Sequence, residues 1–304
     1  MSPAQSRIVF VPGKNPKPEP QEHRREVFRC LVRGVERADP AAARALAATP
    51  QAFSLALWNF LYYGRSKPFG ADLAWIEELL ERTGPTRRDV REALSFRNRS
   101  ARLLYALADA FDFLIPLLPD PAVKSTIRET ARYFGNRGGI GSKVRELLKA
   151  SLREIAAEGT RILLIGHSMG SVIAYDALWE LSRLERHPLK VDLFLTLGSP
   201  LGMRFTQKRL LGGAEEGARR FPGNIRRWVN VAARGDLTAL DTSLADDFRP
   251  MRELGLVESI VDVNGGVFNY FRNDEGLNVH RSYGYLVNPR VGEVIARWWG
   301  GGGK

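Results

Sequence analysis

Apolar residues in this chain follow two rhythms. Short unbroken runs at Arg7-Ile8-Val9-Phe10-Val11 and at residues 162–165, 191–197, 228–232 and 257–263 are rich in β-branched side chains. Runs of that length and composition predict strands buried on both faces. Between most of them lie segments of helical period, for example residues 21–48 (broken at Pro40), 172–184 and 290–299. Residues 53–63 are apolar and aromatic and read as a second strand or as a helix. Strands alternating with helices predict an α/β fold, a mostly parallel sheet covered by helices on both faces.

Residues 70–150 break this alternation. They read as helical throughout, with helices expected over 75–82, 88–94, 101–118 and 142–158. The stretch 103–118 is the most apolar in the chain. Lying ahead of the remaining strands, it reads either as a cap over a site mouth or as core helix; Asp109 and Asp112 oppose full membrane insertion. The expected organisation is therefore one domain, 1–304, carrying a helical insertion at 70–150.

The chain has 304 residues, 44% of them hydrophobic, which is enough for one large core. A single cysteine, Cys30, excludes an intramolecular disulfide framework and predicts a reducing, cytoplasmic setting. No secretory leader and no apolar run long enough to span a bilayer are visible. The net charge of +11 predicts attraction to anionic partners, among them a membrane surface met peripherally. The arginines are scattered, however, and an arginine-rich background composition would produce the same count. No basic stripe interleaved with aromatics suggests nucleic acid, and no ligand spacing suggests a metal.

The most informative stretch is Arg161-Ile162-Leu163-Leu164-Ile165-Gly166-His167-Ser168-Met169-Gly170-Ser171. A buried-strand pattern runs into Gly-x-Ser-x-Gly, and a segment rich in small residues follows that reads as an amphipathic helix. Strand, sharp turn and helix with serine at the apex is the nucleophile elbow. Gly166 and Gly170 allow strand and helix to close around the turn, which presents the hydroxyl clear of its neighbours. A serine that merely caps the helix would need neither glycine.

With Thr196-Leu197-Gly198-Ser199-Pro200-Leu201-Gly202 after the next strand, the motif resembles the lipases and esterases of the alpha/beta-hydrolase superfamily. The branch it most resembles includes intracellular phospholipases and lipid deacylases. The resemblance covers residues 5–14 and 160–299 and says little about 64–150. It implies a serine hydrolase needing no cofactor or metal.

Four histidines are available as base. His167 neighbours the serine within the turn, His23 belongs to a charged N-terminal helix, and His187 precedes Pro188 at the start of a strand. His280 follows the last strand, in a loop of the kind that lines the crevice of an α/β sheet. It also fits the Ser…Asp…His order of the superfamily. The orienting acid is expected after the 228–232 strand, at Asp236 in Arg234-Gly235-Asp236, with Asp241 and Asp262 as rivals. An oxyanion hole needs two backbone N–H groups. Met169 is expected to supply one, and Lys14 the other, where the superfamily often has His-Gly and this chain has Pro12-Gly13.

The expected activity is cleavage of a carboxylic ester through an acyl-enzyme on Ser168, with a hydrophobic acyl chain if residues 103–118 cover the site. The substrate would be a small-molecule ester or a lipid. A thioesterase or acyltransferase would use the same parts. A catalytically idle scaffold that binds lipid or protein is the reading outside enzymology.

Overall fold

A computed structural model describes residues 6–95, 121–239 and 242–301. Six parallel strands form one sheet: β1 (Ser6–Val11), β2 (Phe53–Leu55), β3 (Arg161–His167), β4 (Val191–Leu197), β5 (Ile225–Val231) and β6 (Ser259–Val263). Their order across the sheet is β2-β1-β3-β4-β5-β6. The chain leaves β1 toward one edge and β3 toward the other. The carboxyl ends of β1 and β3 therefore form a topological switch point, where the loops part and leave a crevice. Register aligns those ends, with Val11 beside Gly166, His167 beside Leu197, Leu197 beside Val231, and Val231 beside Val263.

Alternate side chains divide the sheet between two cores. Val9, Val11, Ile162, Leu164, Phe194 and Trp228 face one side. Against them pack α3 (Trp58–Tyr63), α7 (Ile140–Ala157) and α8 (Met169–Trp179). Ile8, Phe10, Leu163, Ile165, Leu193 and Leu195 face the other. That side is covered by α1 (Pro20–Ala38), α2 (Pro40–Ala47), α4 (Gly70–Glu81), α12 (Ser282–Leu286) and α13 (Pro289–Trp299). The remaining helices are α5 (Arg87–Ala93), α6 (Pro121–Phe134), and the short α9 (Arg204–Gln207), α10 (Leu244–Asp247) and α11 (Arg249–Glu253). A two-stranded ribbon, β7 (Arg272–Asn273) with β8 (Gly276–Leu277), precedes α12.

Three expectations need correction. Residues 53–63 are both a strand and a helix: β2 ends at Leu55, and α3 starts at Trp58 so that its aromatic residues pack beneath the β1 loop. The helix after the elbow is not amphipathic. Every residue of α8 is buried, because the sheet, α7 and the loop after β4 enclose it. The 257–263 strand begins only at Ser259.

Within 70–150, Ile76 and Leu79 of α4 and Val144 and Leu148 of α7 belong to the two main cores. The apolar stretch 103–118, and with it the cap expectation, lies outside the described residues, as does Asp241. Among the described residues, no helix is long and apolar enough to cross a membrane.

Candidate active site

Ser168 stands between β3 and α8 with φ 53° and ψ −128°, a conformation that costs a non-glycine residue strain. Several contacts hold it there. Its N–H donates to the Leu197 carbonyl at 3.0 Å. Its carbonyl accepts from both the N–H (2.9 Å) and the hydroxyl (2.6 Å) of Ser171. Since the Ser171 proton is used there, Ser199 Oγ donates to Ser171 Oγ at 2.7 Å, which ties the loop after β4 to the elbow. The flanking glycines are needed for closeness: a Cβ on Gly166 would lie 2.6 Å from Ser171 Cα, and one on Gly170 would lie 2.1 Å from the Val11 carbonyl.

Ser168, Asp236 and His280, far apart in sequence, meet at this point. Ser168 Oγ lies 2.8 Å from His280 Nε2, and His280 Nδ1 lies 2.8 Å from Asp236 Oδ2. A carboxylate only accepts, so Nδ1 carries the ring hydrogen and Nε2 presents its lone pair to the serine. Asp236 is fully buried and also accepts from the Tyr285 hydroxyl (2.6 Å) and the Thr238 N–H (2.9 Å). Burial alone would raise its pKa. The His280 ring and these hydrogen bonds outweigh burial and hold the carboxyl below its usual range.

The other candidates lie elsewhere or serve other ends. Asp262 accepts from Asn230 Nδ2 and from the Leu244 and Ala245 N–H groups, so it caps the start of α10. His187 lies at the amino end of β4, where Nδ1 accepts from the Leu189 N–H. His167 Nε2 donates to the His280 carbonyl at 2.8 Å, and the two rings lie 4.9 Å apart. Burial, then the nearby His280 and Lys17, keep His167 neutral by lowering its pKa well below the usual histidine value. His23 lies on the charged N-terminal helix α1, as expected, and its side chain is buried in the wall of the same cleft as Ser168.

The loop after β1 passes directly against the elbow, since a Cβ on Gly13 would lie 3.0 Å from Ser168 Cβ. Its carbonyls are tied down one after another. Pro12 O accepts from Trp58 Nε1 (2.8 Å), Gly13 O and Asn15 O accept from Asn59 Nδ2 (2.9 and 3.0 Å), and Lys14 O accepts from Lys17 Nζ (2.8 Å). The N–H of Met169 opens α8, and first-turn N–H groups have no acceptor within their own helix.

No protein-family model matches this chain, and neither a curated protein nor a solved structure does. Among the described residues, no group of histidine, cysteine or carboxylate side chains is arranged to hold a metal ion.

Sequence reasoning missed Asn59, Ser171, Ser199 and Tyr285. Ser171 and Ser199 stand within or beside the quoted motifs, so a search for hydroxyls flanking the elbow would have found them. Asn59 and Tyr285 carry no local signal, because each acts on a backbone or side-chain atom more than forty positions away.

Proposed function

We propose that this chain is a serine hydrolase of the alpha/beta-hydrolase type, cleaving carboxylic esters through an acyl-enzyme on Ser168. The observation that carries the reading is the unbroken hydrogen-bonded series Ser168–His280–Asp236, set on a strained turn at the switch point of a parallel sheet. Buried Asp176 and half-buried Asp262 instead hold structural hydrogen bonds, from Tyr133 and the Leu211 N–H to the first and from the Leu244 and Ala245 N–H groups to the second.

In this reading Ser168 Oγ attacks the ester carbonyl carbon while His280 Nε2 takes its proton. The tetrahedral oxyanion rests on the Met169 N–H and on the Lys14 N–H, whose loop is oriented by the four pinned carbonyls. Collapse expels the alcohol, which leaves with the proton from His280. Water then attacks the acyl-enzyme, gives its proton to His280, and the acid departs as that proton returns to Ser168. The single buried Cys30 fits a cytoplasmic setting.

The test is labelling by a fluorophosphonate probe together with hydrolysis of p-nitrophenyl butyrate. Wild-type protein should label and turn over, and Ser168→Ala should do neither. Labelling that survives Ser168→Ala, or a folded wild type that neither labels nor hydrolyses, would overturn the reading.

A further inference from the structure

The cleft over Ser168 encloses about 520 Å³, and its wall is basic. Lys14, Lys17, Arg65, Lys67 and Arg281 line it beside Ser168 and His280, with no carboxylate among the described lining residues. Its apolar members beyond glycine are Pro16, Pro18, Pro68 and Tyr283. The cations arrive from three separate segments: the loop after β1, the loop between α3 and α4, and the position following His280.

Specific contacts assemble this wall. The Lys67 N–H donates to the Lys17 carbonyl at 3.0 Å and joins the first two segments. Asp72, almost wholly buried on α4, binds Lys67 Nζ and Arg281 Nη2 and joins the second to the third. One carboxylate therefore serves two cations. Arg281 Nε is buried without an acceptor among the described residues. Burial, then the charges of Arg281 and Lys67, push the Lys17 ammonium well below its usual range. Burial and Arg281 lower Lys67 in the same way. Like charges gathered in a half-buried cleft wall repel one another, and an entering anion relieves that repulsion.

We infer that this wall is an anion subsite: the ester cleaved at Ser168 carries an oxyacid group, carboxylate or phosphate, that seats on Lys17, Lys67 and Arg281. The inference rests on the hydrolase reading and narrows its substrate class. A neutral ester would gain nothing from these charges, whereas an anionic one would be attracted to the cleft and oriented in it.

The test compares kcat/KM on neutral p-nitrophenyl butyrate with that on mono-p-nitrophenyl glutarate, which has a carboxylate on its acyl side. Butyryl-glycerophosphate and oleoyl-glycerophosphate in vesicles, each against its uncharged glycerol ester, separate a soluble phosphate from a lipid headgroup. At least one anionic ester should be preferred by about tenfold or more, with the preference shrinking as salt rises. Lys67→Gln and Lys17→Gln should lower the anionic-to-neutral ratio severalfold, and Lys67→Arg should restore it. Equal rates on charged and uncharged esters, or a ratio the glutamine variants leave untouched, would overturn the inference while leaving the hydrolase reading intact. If no ester is cleaved, inorganic phosphate decides by calorimetry. Binding to wild type that weakens in Lys67→Gln supports the subsite, and no binding overturns it.

Discussion

The Tyr285 hydroxyl donates at 2.6 Å to the same Asp236 oxygen that accepts from His280, while its own oxygen accepts from the Ala233 N–H at 2.9 Å. One phenol thus fixes the carboxylate and the loop that carries it. Tyr285→Phe should leave a buried N–H unsatisfied and free the carboxylate to turn. We expect a loss of about 1–3 kcal/mol in unfolding free energy. We also expect a fall in kcat with KM little changed, which separates positioning of Asp236 from substrate binding. Denaturant titration and ester kinetics check both; an unchanged kcat would show that His280 alone holds the geometry.

Gly198 leaves room for the Asp236–His280 hydrogen bond. A Cβ there would lie 2.7 Å from Asp236 Oδ2 and 3.1 Å from His280 Nδ1, and the residue has φ 53°. Gly198→Ala should therefore displace the relay and lower kcat on the order of a hundredfold in soluble, folded protein. Retention of more than half the activity would mean the loop after β4 yields more easily than its contacts suggest.

Asp236 and Asp262 are predicted to differ sharply in their asparagine variants. Asp236→Asn should leave His280 in the wrong tautomer and cost kcat about 10⁴-fold. Asp262→Asn weakens the cap of α10 and should cost about 1 kcal/mol of stability with kcat nearly unchanged. Kinetics and thermal melts of the pair test the assignment, which a larger kinetic loss at Asp262 would reverse.

A single proton should govern the acid limb of kcat/KM. His280 accepts the Ser168 proton through the Nε2 lone pair, so the neutral ring is the active form. His23 and His167 stay neutral because burial lowers both pKa values, and Asp236 stays charged. The limb should therefore have unit slope in a plot of log kcat/KM against pH. A slope near two would bring in a second group.

Buried Asp176 predicts a pH effect on stability that is separate from catalysis. Burial raises its carboxyl to about 7, against hydrogen bonds from Tyr133 and the Leu211 N–H. Between the ordinary aspartate value and about 7, the folded state binds more protons than the unfolded state, so this residue's contribution falls as pH rises through that window. Asp176→Asn should abolish that decline, and the stability difference between variant and wild type should move in the variant's favour from pH 5 to pH 8. A difference that stays constant across this range would refute the shift. Comparing the two proteins at each pH cancels the opposite slope from His23 and His167.

Much of this was legible in the chain because it rests on neighbours in sequence. The strands announced themselves as β-branched runs, since a strand buried on both faces has no polar side to show. The elbow at Ser168 was legible because strand, glycines and helix must be contiguous for the turn to form. His280 emerged because only four histidines exist, and Asp236 because it closes the loop after a recognisable strand. The junction at residues 53–63 was not legible, because aromatic residues serve a strand and a buried helix equally until their neighbours are known. The burial of α8 on all sides was likewise hidden, as small residues suit any close-packed face.

The sequence by itself determined the alternation of strand and helix, the strained serine, and which residue types were present to act with it. Only the tertiary structure decided that Asp262 caps a helix while Asp236 meets His280, and that Asn59 and Tyr285 hold the surrounding loops. It also turned a diffuse excess of basic residues into a wall of five around one cleft. The physical reason is common to all three. Local motifs follow from bonds along the chain, whereas charge clusters and hydrogen-bond partners are fixed by which loop ends the sheet brings together.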